Sequence, residues 1–266
     1  MAKRTRKEII PLTEYIPEPS KTFFIDWSVF VHKSIFAWNI AQNQAIPATY
    51  LCINSIITCL KELKATINDR VIIAMDSYSG NWRKEIDSQY KADRAEKRKE
   101  TGIDFNYHFA EMNKLLTNIN QSTPWIPIQI DKLEADDIIS YGCRYYKDDE
   151  CIIVTTDSDL QQMFAFKNVK IFSPISKKFK DYTNPYTLLA KKIEKEATDN
   201  LISPVQTQEE YEKRNMIVNL LSLPKNIEDV LKTVYDELKP KDKYELASLR
   251  FNKPKERLIQ LYKGVK

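Results

Sequence analysis

Carboxylates in four short segments dominate the chemistry open to this chain: Asp26 in FFIDWS, Asp76 in IIAMDS, Glu134, Asp136 and Asp137 in KLEADD, and Asp157 and Asp159 in TTDSD. Asp26 and Asp76 each follow three or more apolar residues, where an ionised carboxylate is costly unless it reaches a ligand, a helix N-terminus or water. Acids gathered in one place repel one another and cations relieve that repulsion. Hard oxygen donors of this kind suit Mg2+ or Mn2+. The two histidines, His32 and His108, leave little for imidazole-based zinc or general-base chemistry to draw on. Each cluster alone also has a bland reading. Asp26 or Asp76 could cap a following helix, Asp131 and Glu134 have capping-box spacing, and Asp157 or Asp159 could cap a strand-to-helix junction. The capping box leaves Asp136 and Asp137 unused, and Glu134 and Asp137, one helical turn apart, can face a common point. Four such clusters at strand ends favour a metal-dependent enzyme.

The elements that must position these acids are short apolar strands separated by helices. TFFIDWSVF, VIIAM, IPIQI, CIIVTT and NVKIF read as strands, and 48–66, 133–146, 186–198 and 209–221 carry helical spacing. That alternation predicts an α/β fold with a central, mainly parallel sheet and flanking helices. Ligands bind such sheets beyond the carboxyl ends of the strands, where Asp26, Asp76 and Asp157 fall.

Between the second and third strands lies a charged insertion, 81–122. A charge run is ordinarily a solvated helix face. Here Trp82, Tyr90 and Tyr107 are interleaved with Arg83, Lys84, Lys91, Arg94, Lys97, Arg98 and Lys99, the mixture of rings and cations that grips a single strand by stacking and phosphate contacts.

With 266 residues, 42% of them hydrophobic, the chain can bury one large core plus a smaller helical region. No apolar run is long enough to span a bilayer, and the basic first 20 residues lack the pattern of a secretory signal. A soluble, cytoplasmic, monomeric protein with a mobile N-terminal arm is expected. Cys52, Cys59, Cys143 and Cys151 lie in apolar stretches and read as reduced core residues. Lysine and arginine outnumber aspartate and glutamate by 41 to 37. With several acids committed to one cluster, the remaining surface is basic enough to favour a polyanion.

The order and spacing of FIDWS, MDSYSGNWRKEIDSQYKADR, KLEADD and TTDSDLQQM resemble the flap endonuclease superfamily of PIN-like 5′ nucleases, and within it the ribonuclease H branch of T-even-type phages. The resemblance spans about 20–230, and Arg83, Tyr90, Lys91 and Arg94 follow the second acid at the family spacing. It implies a catalytic domain at 21–182 with the insertion as a helical arch, and a helical C-terminal region at 183–266. It also implies two Mg2+ ions, with Mn2+ as an alternative and no organic cofactor. Asp26, Asp76, Glu134 and Asp136 would lie nearer one ion and Asp157 and Asp159 nearer the other, with Asp137 further out. Lys91 and Arg94 would contact the scissile or adjacent phosphate, and Arg83, Lys84, Tyr90, Lys97, Arg98 and Lys99 the nucleic acid. At the family's Gly-Asp-x-x-Asp-Asn motif stands Lys195-Glu196-Ala197-Thr198-Asp199-Asn200, with Asp199 and Asn200 matching, Glu196 replacing an Asp and Lys195 the glycine, and Glu196 and Asp199 would be the second ion's further ligands. No glycine lies between Asn200 and Leu221, so the duplex-binding hairpin of the family is expected to be shortened. The activity implied is 5′–3′ exonuclease and flap cleavage of RNA primers and DNA in phage-type replication. The substrates are DNA and RNA/DNA with 5′ single-stranded ends or flaps, and a single-stranded-DNA-binding protein or sliding clamp is a candidate partner.

Two rivals differ in what they use. A non-catalytic nucleic-acid-binding module would keep the fold and the basic insertion without metal. An aspartate-nucleophile phosphatase would use Asp157 and Asp159 and leave the insertion without a role.

Overall fold

The computed structural model describes residues 21–41, 45–194, 205–241 and 243–263. The expected arm at 1–20 and the expected ligands Glu196 and Asp199 lie outside the described residues.

Strand β1 (Lys21–Asp26) sends Phe23 and Ile25 to one face of a sheet and Phe24 to the other. It stops at Asp26, where the sequence reading carries the strand on to residue 30. Trp27–Ala41 is helix α1, and Trp27, Phe30, Val31, Ser34 and Ile35 form its buried side. The apolar residues of strand and helix abut, so period two and period 3.6 cannot be told apart across the junction.

Helix α2 (Ala48–Glu62) leads to β2 (Arg70–Met75). The insertion follows as α3 (Arg83–Ile86), α4 (Arg94–Glu100) and α5 (Phe105–Ser122). Gly102, at φ 68°, turns the chain between the last two. Asp104 caps α5 by accepting the Tyr107 amide at 3.0 Å. Met112, Leu115 and Ile119 bury its inner stripe in the core. Then come β3 (Ile126–Gln129), α6 (Ala135–Tyr145), β4 (Glu150–Val154), a 3-10 segment (Asp159–Ala165), β5 (Val169–Ser173) and the short β6 (Lys178–Phe179). The chain continues through α7 (Pro185–Glu194), α8 (Gln208–Val218), α9 (Lys225–Glu237) and α10 (Asn252–Tyr262).

The six strands lie in the order β3-β2-β1-β4-β5-β6, parallel except for β6, which runs antiparallel to β5. Both faces are covered, as a parallel sheet requires. Val71, Ile73, Met75, Ile152 and Val154 join the core under α1, α2 and α5, while Ile72, Ala74, Cys151 and Ile153 join the one under α6 and α9. All four cysteines are buried and unpaired.

The helices after residue 183 are spread around this sheet. Helix α9 buries Leu231 and Tyr235 in the α6 core, and Tyr235 donates to the Ile138 carbonyl at 2.8 Å. Gly142 on α6 makes that approach possible, since a Cβ there would collide with Tyr235 and Phe24. Helix α10 reaches the opposite face, where Arg257 bonds Thr58 at 3.1 Å and Leu258 enters the core. Helices α7 and α8 share a third small cluster, Ile193, Ile217 and Val218 with Tyr90 of the insertion. Among the described residues no helix is long and apolar enough to cross a membrane.

From β1 the chain builds outward through β2 to β3, and β4 then starts on the other side of β1. The sheet therefore has its switch point between β1 and β4, and a crevice opens at the carboxyl ends there.

Candidate metal centre and nucleic-acid interface

Asp26 ends β1 at the switch point with 3% of its surface exposed. Its carboxylate accepts from Thr155 Oγ1 at 2.7 Å and Ser28 Oγ at 2.9 Å. Burial, with Asp76 and Asp157 nearby, pushes its pKa up to about 6. Asp76 follows β2 and is exposed, and its Oδ1 accepts the Ala135 amide at 2.9 Å. Helix α6 is thereby capped from a neighbouring strand end. The box inside KLEADD joins Glu134 and Asp137, with the Glu134 amide donating to Asp137 Oδ2 at 2.9 Å, where the sequence suggests Asp131 and Glu134. The helix starts later than residue 133, which moves its cap along the chain.

Asp136 projects from the first turn of α6. Burial and then Asp157, with Glu134 and Asp26 adding, hold its carboxyl well above the usual range. Asp157 follows β4, and its Oδ1 accepts the Asp159 amide at 2.8 Å. Its pKa is also raised, by burial and then by Asp159. Asp159 is ion-paired to Lys192 of α7 at 2.5 Å. Burial pushes the Glu134 carboxyl up, but Lys91 and Arg83 outweigh it and bring the pKa below the usual value.

Asp137 has a different surrounding. It is fully buried, with Arg83 Nη2 at 2.7 Å from Oδ1. Arg83 Nη1 and Trp82 Nε1, both at 3.0 Å, donate to Oδ2. Together with the Glu134 amide these donors engage both carboxylate oxygens, so Asp137 anchors the helix start. Arg83 and Tyr90, expected to contact nucleic acid, belong to the same buried network. They are 2% and 6% exposed, and Tyr90 donates its hydroxyl to Glu134 Oε2 at 3.1 Å. Trp82, read from the sequence as a stacking ring, is buried as well. The start of the insertion is a wall of the site, and its alternation of rings and cations does not reveal which face water and which face acids.

Lys91 takes φ 55°, the left-handed region sparsely used by side-chain-bearing residues. From there its ammonium reaches Glu134 Oε1 at 2.6 Å. Arg94, Lys84, Lys97, Arg98 and Lys99 are exposed, and Lys97 also pairs with Asp93. Between α1, the end of β2 and the turn from α4 to α5 lies a cavity of about 560 Å3. Asp76 borders it on the acidic side, Arg98 and Lys99 line it, and the rings of His32, Phe105 and Phe109 form a tilted, edge-on cluster in its wall.

Among the described residues no three His, Cys, Asp or Glu side chains close on a single cation position. Lys91 and Lys192 hold Glu134 and Asp159. The donor set nevertheless fits a hard divalent ion. It consists of carboxylate oxygens, and burial with mutual repulsion raises the pKa of Asp26, Asp136 and Asp157, the signature of a space short of positive charge. Asp26, Asp76, Glu134, Asp136, Asp157 and Asp159 are brought to one crevice. The sequence did not point to Lys192 or Thr155, which carry no motif and reach the acids through tertiary packing.

The mainly parallel α/β domain thus carries an acidic crevice at its switch point and a basic helical insertion beside it. The family model "5′-3′ exonuclease, N-terminal resolvase-like domain" matches residues 21–194, and the chain belongs to that family. It is 30% identical over 133 residues to the ribonuclease H of Enterobacteria phage T4, covering 49% of this chain and 44% of that protein. To the 5′-3′ exonuclease of Mycoplasmopsis pulmonis (strain UAB CTIP) it is 29% identical over 161 residues, 60% of this chain and 50% of that one. The matches thus span about half the length of these relatives. The fold is shared with the D15 protein of bacteriophage T5 crystallised with metal ions, at TM-score 0.60 and 15% identity over 81% of this chain and 98% of that one. It is shared too with the T5 5′-exonuclease carrying zinc, at TM-score 0.54 and 18% identity over 90% and 86%. The same TM-score, 0.54, relates it to the T5 D15 flap endonuclease in complex with DNA and metal ions, again at 18% identity over 90% and 86%.

Proposed function

We propose that the protein is a divalent-metal-dependent 5′ nuclease that hydrolyses phosphodiester bonds in DNA and RNA/DNA carrying a 5′ single-stranded end or flap, removing primers and adjoining DNA during replication. The observation that carries this reading is the placement of Asp26, Asp76 and Asp157 at the carboxyl ends of β1, β2 and β4, with Asp136 on the first turn of the helix that Asp76 caps, beside a cavity lined by cations and rings. Two divalent ions, Mg2+ or Mn2+, bound among Asp26, Asp76, Glu134, Asp136, Asp157 and Asp159 would activate water and stabilise the leaving oxygen. Glu196 and Asp199 are proposed as further ligands from the sequence.

The remaining work falls to the chain's own groups. So many carboxylates repel a phosphate, and Lys91, already paired with one of them, Glu134, is the cation proposed to meet an incoming strand. Its ammonium, now on Glu134, can shift to the scissile or adjacent phosphate, with Arg94 contributing from the next turn. Lys84, Lys97, Arg98 and Lys99 attract the backbone, which makes binding salt-sensitive. The rings of His32, Phe105 and Phe109 offer an apolar wall for a base of the displaced strand.

The test is a 5′-labelled flap duplex incubated with the protein in Mg2+ and in EDTA. Cutting in Mg2+ that EDTA abolishes is the expected result. Binding without cutting in either Mg2+ or Mn2+ would overturn the enzyme reading in favour of a binding module.

A further inference from the structure

Two buried polar side chains have no part in the chemistry above, Arg83 and Gln162, 2% and 0% exposed. Both end on the same short stretch of backbone. Arg83 Nε donates to the Ile217 carbonyl at 2.7 Å. Gln162 Nε2 donates to the Val218 carbonyl at 2.9 Å, and its Oε1 accepts the Leu220 amide at 3.0 Å. This stretch is the C-terminal end of α8 and the extended residues after it, with Ile217, Val218 and Leu220 buried.

Their other ends diverge to the two halves of the acidic set. Arg83 Nη1 bonds Glu134 Oε2 at 3.0 Å while Nη2 bonds Asp137 Oδ1 at 2.7 Å, fixing the start of α6 from which Asp136 projects. Gln162 sits in the 3-10 segment that opens with Asp159, whose amide holds Asp157. One strut, residues 217–220, is thus bonded behind Glu134 and Asp136 on one side and behind Asp157 and Asp159 on the other.

We propose that Arg83 and Gln162 are positioning residues, which through this strut set the spacing between the two halves of the acidic set and so its affinity for divalent ions. A guanidinium fork presents several donors in one plane and can serve a carbonyl and two carboxylates together, which a lysine cannot. At the other end the backbone offers one acceptor and one donor, and a side-chain amide meets both. Groups standing behind metal ligands commonly govern affinity by tenfold or more without touching the ion.

The inference rests on the metal-nuclease reading, and its test separates the two. Gln162→Met keeps the volume and removes both bonds; Arg83→Lys keeps the charge and removes the fork. Mn2+ binding by calorimetry and the Mg2+ needed for half-maximal flap cleavage are measured on each, beside Met216→Ala at an exposed position of the same helix. Both positioning variants should weaken Mn2+ binding and raise the Mg2+ requirement about tenfold, with KM for the flap duplex at saturating Mg2+ moving far less. Met216→Ala should match the wild type. A merely structural role would lower the thermal midpoint and the active fraction while leaving the ion affinity of the folded protein unchanged, and that result overturns the proposal. Should Gln162→Met fail to fold, Gln162→Glu keeps the acceptor for Leu220 and carries the same expectation. A wild type that binds Mn2+ and cuts nothing would count against the nuclease reading, and the Mn2+ affinities of the variants would still decide this one.

Discussion

Asp136 and Asp137 are neighbours in one helical turn with opposite surroundings. Asp137 turns inward onto a guanidinium, an indole N-H and a backbone amide, which together engage both its carboxylate oxygens. Asp136 turns toward Asp157 and Asp26, with Lys91 as the nearby cation, and its carboxyl is held well above the usual range by burial and those acids. The first arrangement is complete and stabilises the fold; the second is short of positive charge and suits a ligand. Equal residue types therefore divide into scaffold and site according to which partners the neighbouring elements bring.

The largest effect expected from that contrast is on catalysis. Asp136→Asn should reduce flap cleavage on the order of a hundredfold or more, because it removes a proposed ion ligand. Its thermal midpoint without metal should rise, since a half-buried carboxylate under repulsion is replaced by a neutral group. Asp137→Asn should shift stability the other way. It leaves the buried Arg83 charge short of its partner, a loss of about 3–5 kcal/mol in denaturant unfolding. If both variants moved the midpoint in the same direction, the division into scaffold and site would fail.

The same division is visible in the limits of the sequence. The sheet, its carboxyl-end acids and the helix carrying KLEADD are legible because their apolar runs are short and bounded by polar residues. The junction at Asp26 is not, since WSVF has β-favouring composition and becomes helix only when Trp27, Phe30 and Val31 pack under the sheet. Within the insertion the sequence presents rings and cations of one kind. Trp82, Arg83 and Tyr90 are taken up by the acids, while Lys84, Arg94 and Lys97 remain at the surface. That sorting depends on α6 and α8 lying against the insertion, and no local pattern encodes it. The Lys192 pair with Asp159 and the Gln162 bonds to 218 and 220 are long-range in the same way.

A pH effect of intermediate size sharpens the comparison. Asp26 has a folded pKa of about 6 against an ordinary 3.8, so the folded state holds its proton more tightly than the unfolded chain does. Its contribution to stability is therefore greatest below the unfolded value and is lost as pH rises toward and through 6. Divalent ions should counter that loss. Added Mg2+ should raise the thermal midpoint more at pH 7.5 than at pH 5, and an equal rise at both would indicate that these acids do not hold the ion.

The smallest effect belongs to the exposed cations. Lys97→Ala with Lys99→Ala should weaken flap-duplex binding roughly equally for all sequences and lower the salt dependence by about two phosphate contacts. Cleavage at saturating substrate should change little, because neither residue touches the crevice acids.

The most direct test of the central claim is Mn2+ binding by calorimetry to the wild-type protein and to Asp136→Asn at pH 7.5. The wild type should bind Mn2+, and the variant about tenfold or more weakly while remaining folded. Equal binding by the two, or no binding by the wild type at millimolar Mn2+, would contradict the assignment of the crevice acids as the metal centre.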